Sequence, residues 1–157
     1  MAQGDVVFFD SFLLDLCKSN DAATKHHFGT TPDTVMCAIV DSTITPTSAT
    51  VIPTWGAAGT VDLSANEVTV AGDYTAGGNE CATPTAALSG GLVEIDFGNP
   101  TAWATGTDTD AKWGIIYNDT NTNKTCIGFV DLGTAFDMST GTLTITWGTP
   151  VATLNQA

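Results

Sequence analysis

Residues 141–148 read GTLTITWG, a stretch in which apolar and polar side chains alternate without interruption. Leu143, Ile145 and Trp147 take every second position, and threonines stand between them. Successive side chains of a β-strand point to opposite faces, so the pattern predicts a strand with one face on the core and one in solvent. The 28 threonines of the chain extend this preference to the whole sequence, because β-branched side chains suit strands.

Other strand-like segments precede this one at regular intervals. Residues 34–41, TVMCAIVD, form a continuous apolar run that is typical of a strand buried on both faces. Turn sequences at residues 89–91 (SGG) and 120–124 (TNTNK) separate strand-like stretches and predict two hairpins. Roughly seven or eight such strands favour an all-β fold, and we expect a jelly-roll-like β-sandwich.

The N-terminal segment carries a helical pattern instead. Its apolar residues follow the spacing of one helical stripe and predict a short amphipathic helix over about residues 8–19. We interpret residues 1–30 as this helix with a connector, forming a contact arm, and residues 31–157 as the β-sandwich domain. Residues 42–67 form a long excursion of weak periodicity, and loops of this length are often functional or interaction arms.

The charge balance excludes some classes of partner. The chain has four lysines, no arginine and 17 acidic residues, which gives a net charge of −13. Nucleic-acid binding needs cations that displace counterions from phosphates, and bidentate phosphate contacts need arginine. An anionic membrane surface is disfavoured for the same reason. We therefore expect neither nucleic acid nor membrane as a partner, and we interpret the charge as favouring solubility.

The sequence also indicates in which cellular compartment the chain folds. No apolar run reaches the roughly 20 residues that span a bilayer, and the start lacks the basic and apolar regions of a signal peptide. We expect synthesis and folding in a cytoplasm. The four cysteines form no CxxC pair and are expected to be reduced and buried, although their even number leaves disulfides open as an alternative.

One pair of carboxylates deserves comparison with a catalytic pair. Glu94 and Asp96 lie on one face of a predicted strand, opposite the face of Val93, Ile95 and Phe97. A glycosidase needs two carboxylates that flank a bond, one of them in an apolar setting. The solvated face of a half-buried strand explains the pair more simply, and we predict no catalytic residue and no small-molecule substrate.

Metal and cofactor patterns are weak. His26 and His27 could join Cys17 and Cys37 in a zinc site, but the spacing matches no compact ligand pattern. Residues 118–125, NDTNTNKT, lack the glycine and glutamate that an EF-hand loop needs, which leaves only a weak surface cation site open. We predict no metal and no cofactor.

Residues 74–78, YTAGG, raise the choice between a ligand loop and a structural turn. They match neither of the common phosphate-binding glycine patterns. Gly77 and Gly78 can adopt positive φ, and Tyr74 can bury its ring while its hydroxyl finds a partner. We predict a structural turn in which the glycines bend the backbone and the tyrosine anchors it.

The order of these segments resembles a family of small β-rich structural proteins encoded in the head and tail gene clusters of tailed bacteriophages. The resemblance covers about residues 8–148, and its most specific part is YTAGG with Asn-Glu-Val upstream. The segments that carry it are FFDSFLLDLCKS, TPDTVMCAIVDSTITPT, SANEVTVAGDYTAGGNECA, VEIDFGNPTAWAT, AKWGIIYND, CIGFVDLG and GTLTITWG.

The resemblance implies a virion component, in the first place a capsid decoration (cement) protein, with tail and baseplate roles also open. It implies no catalytic residues. A decoration protein with this charge belongs on the outer capsid surface, because packaged DNA would repel it. Its expected partners are the major capsid protein and itself, as a homotrimer.

Apolar contacts would have to offset the repulsion between such acidic copies. The N-terminal helix and residues 42–60 supply the candidate partner-contact residues, which are Phe9, Phe12, Leu13, Leu16, Ile44, Val51, Ile52 and Trp55. The alternative is a tail- or fibre-associated adsorption module that binds host surface glycans. A shallow cleft lined with exposed Trp and Tyr would distinguish that module.

Overall fold

The computed structural model of the chain describes residues 4–18 and 21–154, which are mostly β with several antiparallel sheets. Helical structure in this part is limited to α1 (Asp10–Asp15) and a 3₁₀ turn at Leu63–Asn66. The described residues contain ten strands, which are β1 (Val6–Phe8), β2 (Val35–Asp41), β3 (Pro53–Thr54), β4 (Val61–Asp62), β5 (Asn79–Cys81), β6 (Thr85–Ser89), β7 (Leu92–Asp96), β8 (Ala111–Asn118), β9 (Cys126–Phe136) and β10 (Ala152–Leu154).

The larger sheet has five strands in the order β1-β9-β8-β2-β5, and every neighbouring pair is antiparallel. Its longest strands, β8 and β9, form the hairpin predicted around residues 120–124. From Val35 to Val40, β2 is buried except at Met36. This burial confirms the prediction that residues 34–41 contain a strand covered on both faces.

The second sheet has three strands in the order β10-β7-β6, and β3 and β4 form a short parallel pair. β6 and β7 are the hairpin predicted around residues 89–91, closed by Gly90 and Gly91 at φ of 56° and 86°. Ile95 of β7 packs into the same buried cluster as Ile39 of β2. The five-stranded and three-stranded sheets therefore share one core.

Residues 141–148 keep the predicted alternation of burial but do not form a strand. Leu143, Ile145 and Trp147 are buried, and the threonines between them are exposed. Leu143 exchanges two backbone hydrogen bonds with Trp103, at 3.0 and 2.9 Å, and no ladder continues from that bridge. The prediction of the strand was wrong, because apolar alternation reports which side chains face a core and not whether a neighbouring strand pairs there.

The N-terminal helix is shorter than predicted, and residue 19 of its expected range lies outside the described residues. Val6–Phe8 are used by β1, so the helix begins at Asp10. Beyond Asp15 the chain turns through tight bonds, including one from the Lys18 N–H to the Asp15 carbonyl. No helix in residues 4–18 and 21–154 is long and apolar enough to cross a bilayer.

The N-terminal segment is integrated into the main core. β1 is an edge strand of the five-stranded sheet and pairs with β9. The ring of Phe12 packs against His26 at 4.9 Å and Phe28 at 6.3 Å. The N-terminal segment thus contributes a strand and aromatic packing to the same core as the rest of the chain. Parts of the two predicted domains lie outside the described residues, namely residues 1–3, 19–20 and 155–157.

Candidate functional site: an exposed apolar surface

Three of the predicted partner-contact residues are buried within the chain itself. Phe9 packs on Phe129 at 5.2 Å, and Phe12 is fully buried. Trp55 stacks on Tyr117 with 5.0 Å between the ring centres. The prediction that these side chains are available to a partner was wrong. The protein's own core covers Phe9 and Phe12 through the helical stripe, and Trp55 through its stack on Tyr117.

The other predicted contact residues divide between the edge of the core and the surface. Leu16 and Ile44 are half-buried and pack against the two buried clusters. Leu13, Val51 and Ile52 are exposed, with 59% of Val51 and 50% of Ile52 accessible. Leu14 is exposed as well and was not predicted to contact a partner, although its position off the helical stripe indicates an exposed apolar side chain. We call Leu13, Leu14, Val51 and Ile52 the apolar contact surface.

A backbone hydrogen bond joins the two segments that carry this surface. The N–H of Asp10, at the start of α1, donates to the carbonyl of Ser48 at 2.9 Å. The loop then turns through a bond from the N–H of Thr50 to the carbonyl of Thr47 at 3.0 Å. Because these bonds fix the first turn of the helix beside the 47–50 turn, the two exposed pairs are held by one local framework.

Ile52 has an unusual backbone conformation for an exposed aliphatic residue. Its φ is 44°, a region that β-branched residues rarely adopt. The Ile52 carbonyl accepts from the Thr60 N–H at 3.1 Å, and a Cβ at Gly59 would overlap that carbonyl oxygen. Thr54 braces the same loop by accepting from the Gly59 N–H at 2.9 Å. The loop therefore holds Ile52 outward in a strained conformation, as is common at functional sites.

The β6–β7 hairpin adds a second exposed apolar pair. Leu88 is 79% exposed and faces Val93 across the hairpin, where Val93 is also exposed. The alternation in β7 predicted that Val93 faces inward with Ile95 and Phe97, and only the latter two are buried. Val93 differs because the apolar face of the hairpin extends beyond its buried base towards the Gly90–Gly91 end, which a strand pattern alone does not reveal.

Residues 74–78 lie beside the five-stranded sheet as a hydrogen-bonded turn. Gly77 and Gly78 have φ of 85° and 75°, and a Cβ at Gly78 would overlap the backbone of Cys37. The carboxylate of Glu67 accepts from the Tyr74 hydroxyl at 3.0 Å and from the Gly77 N–H at 2.6 Å. Burial raises the pKa of the Tyr74 phenol, which therefore stays protonated and able to donate.

A polar cleft of about 400 Å³ opens beside this turn. It is lined by Trp55, Tyr117, Glu67 and Gly77, with the ion pair of Lys124 and Asp119 at its margin. The two rings stack on each other at 12°, and only 7% of Trp55 and 1% of Tyr117 are accessible. The cleft thus has aromatic walls, but their faces are used against each other.

The described surface has a strong excess of negative charge. The ion pairs among the described residues are Lys18–Asp15 at 2.8 Å, Lys112–Asp131 at 2.5 Å and Lys124–Asp119 at 2.7 Å. Most of the acidic residues therefore have no lysine partner in this part of the chain. Only Lys124–Asp119 is exposed on both sides, and an exposed pair contributes little to stability. The main consequence of these ion pairs is that few lysines remain to attract an acidic partner.

His26 and His27 have different surroundings. The ring of His26 is partly buried between Phe12 and Phe28, within hydrogen-bond reach of Asn118 at 3.2 Å and Thr125 at 3.3 Å. Burial lowers the pKa of His26 to about 4, against partial opposition from nearby carboxylates. His27 is exposed. The structure therefore gives His26 a packing role between the N-terminal segment and the β8–β9 turn.

The remaining candidate ligands are dispersed. Cys37 and Cys126 are buried free thiols, and Cys17 is an exposed one. Across residues 4–18 and 21–154, no group of three or more His, Cys, Asp or Glu side chains is placed to hold a metal ion. Glu94 and Asp96 are half-buried on the polar face of β7.

Comparisons with known proteins give no match, whether the chain is compared with protein-family models, with curated proteins or with solved structures.

Proposed function

We propose that the chain is a non-enzymatic structural protein of a bacteriophage virion, a decoration protein that binds the outer capsid surface and stabilises the shell. The observation that carries this proposal is the exposure of Val51 and Ile52 on a braced loop. A monomeric protein gains nothing from holding a β-branched apolar residue outward at a strained φ. A partner that buries Ile52 would recover that cost.

The size of the apolar contact surface suits a partner with many weak, repeated contacts. Four aliphatic side chains on two adjoining segments would form the core of a modest interface. Repetition of such a contact over a shell would stabilise the particle through the number of copies, without high affinity at any single site.

The charge supports the outer surface of the shell as the binding site. With a net charge of −13, the protein would be repelled by packaged DNA on the inner side. The major capsid protein would then present basic or apolar patches at the contact. We propose a homotrimer at local threefold positions, because closed symmetric oligomers are the usual form of soluble self-assembly.

We further propose that the five-stranded and three-stranded sheets pack as a jelly-roll-like β-sandwich. The support is the common buried cluster, to which β2 contributes Val35, Cys37 and Ile39 and β7 contributes Ile95. A face-to-face arrangement would bury the apolar sides of both sheets and leave the β6–β7 hairpin at one margin.

The alternative function, an adsorption module for host glycans, would need aromatic faces open to sugar rings. In the cleft beside residues 74–78, Trp55 and Tyr117 stack on each other and are almost completely buried. This geometry offers little aromatic surface for a sugar, so the decoration role is the one we propose.

The test is reconstitution of shells that lack this protein. Purified chain should bind such shells to saturation at a copy number that follows the lattice symmetry, and the decorated shells should resist higher temperatures than bare ones. Binding to isolated tails or to host cells, with none to shells, would contradict the proposal.

A further inference from the structure

Two cavities that share Gly4 form one groove, which runs beside β1 and continues past the N-terminal end of this strand along β9. They have volumes of about 560 and 250 Å³ and meet at Gly4. We call this the edge groove. The larger cavity is lined by residues 4–7, Trp147, Gly148, Val151 and Ala152. The smaller one is lined by Gly4, residues 130–132, Phe136 and residues 143–146.

The β1 side of the groove presents unpaired backbone groups. Immediately after β1, the N–H of Phe9 donates to the carbonyl of Ile127, its directly opposite residue on β9. In an antiparallel pair, bonded and non-bonded positions alternate, so Val7 bonds towards β9 while Val6 and Phe8 direct their N–H and C=O groups outward. Within the described residues, no turn, loop or cap hydrogen bond uses the backbone of Val6 or Phe8.

The floor of the groove is apolar and incompletely covered. Leu143, Ile145 and Trp147 belong to the main buried cluster and line the groove with their remaining surface. Val6 and Val151 are partly buried at the margin of the same cluster. An added strand needs main-chain partners and an apolar surface for its alternate side chains, and the free edge of β1 and the apolar residues that line the groove meet these two needs.

We propose that the edge groove receives an extended segment of a partner protein, which adds as a strand to β1 and carries alternating apolar side chains with at least one Lys or Arg. Exposed Asp5 lies on the groove margin and has no ion pair in the described part of the chain, so a cation on the incoming segment would face it. Asp131 lies at the other end, bonded to Lys112.

Charge favours a foreign segment over a second copy of this chain. A second copy also has a net charge of −13, and three of its four lysines are already in ion pairs. For the identity of the partner, the inference rests on the proposed function. It adds which kind of segment the shell protein would contribute.

The probe is a synthetic heptapeptide, Lys-Val-Thr-Val-Thr-Val-Lys, with a matched control in which both lysines are glutamates. Amide NMR shifts of the purified protein should change at residues 4–7 and 147–152 with the lysine peptide. Like-charge juxtaposition should weaken binding of the glutamate peptide by about tenfold or more. Asp5→Lys should reverse this preference, and Val6→Pro should abolish binding because it removes an outward N–H that β9 does not use.

The proposal is overturned if millimolar lysine peptide shifts no groove resonance, if the shifts lie elsewhere, or if both peptides bind equally well. It is also overturned if the free protein is a dimer in which the amides of Val6 and Phe8 are already protected, since a second copy would then fill the groove. This experiment uses no particles, so a failure of shell binding and a failure of the groove are distinguishable.

Discussion

The hydroxyl of Tyr74 accepts a hydrogen bond at 2.9 Å from the backbone N–H of Ile39, in the middle of β2. The same hydroxyl donates to Glu67, so one phenol connects the 74–78 turn to the central strands. Both Tyr74 and Ile39 are almost completely buried. Tyr74 thus anchors the turn to the buried core.

Tyr74→Phe should therefore lower the free energy of unfolding by about 1–3 kcal/mol, because the Ile39 N–H would be left without a partner in the core. Urea denaturation measures the loss. The matched control is Tyr117→Phe, which removes only a 3.0 Å bond to the carbonyl of Gly77, at the cleft, where water can replace it. Equal losses in the two variants would contradict this role of Tyr74.

Gly78→Ala and Gly91→Ala should separate steric overlap from backbone strain. Both glycines have positive φ, but a Cβ at Gly91 meets no atom within 4 Å, whereas a Cβ at Gly78 overlaps the backbone of Cys37. The Gly91 variant should lose only about 1–2 kcal/mol of unfolding free energy. The Gly78 variant should lose more than about 4 kcal/mol or fail to fold, which thermal unfolding will show.

Protonation of His26 should lower the free energy of unfolding as the pH falls. Its pKa is about 4 in the folded chain, compared with 6.5 when unperturbed, so the unfolded state binds more protons between these values. The contribution is fully present above pH 6.5 and is lost as the pH falls towards 4, by about 3 kcal/mol in total. His26→Gln should flatten this part of the pH profile of urea unfolding.

The neighbouring His27 provides the control, because it is exposed. His27→Gln should retain the pH dependence of the unmodified chain. If His27→Gln flattened the profile and His26→Gln did not, the assignment of the pH dependence to His26 would be wrong.

Ile52→Asn should weaken binding to shells without lowering the stability of the fold. Asparagine tolerates positive φ better than isoleucine, so the unfolding free energy should stay constant or rise by up to about 1 kcal/mol. Binding to bare shells should fall, because an exposed apolar contact is removed. Co-sedimentation with shells measures this.

The control is Val70→Asn, which changes an exposed valine outside the apolar contact surface. It should leave shell binding unaltered. A loss of binding with Val70→Asn but not with Ile52→Asn would place the contact elsewhere on the protein.

Sequence patterns predicted much of the β architecture because alternation and turn residues are local signals. The buried strand β2, the β8–β9 hairpin and the β6–β7 hairpin were each predicted from a few consecutive residues. Residues 141–148 show the limit of this reasoning. Their side chains alternate in burial as predicted, yet strand formation depends on a distant partner, and Trp103 offers only a single bridge.

The contact residues were harder to predict for the same reason. Phe9, Phe12 and Trp55 are apolar whether they face their own core or a partner, and only the packing of distant segments decides which. The exposure of Leu88 and Val93 depends on the hairpin extending beyond the core. The positive φ of Ile52 also has no local sequence signal, because it follows from the bonds of Thr54 and Thr60.

The most direct test of the central claim is the number of copies of this protein in purified virions, measured by quantitative gel analysis against the major capsid protein. A decoration protein at repeated lattice positions should be present in on the order of hundreds of copies per particle. A count in the tens or below, as for a tail or fibre part, would contradict the proposed function.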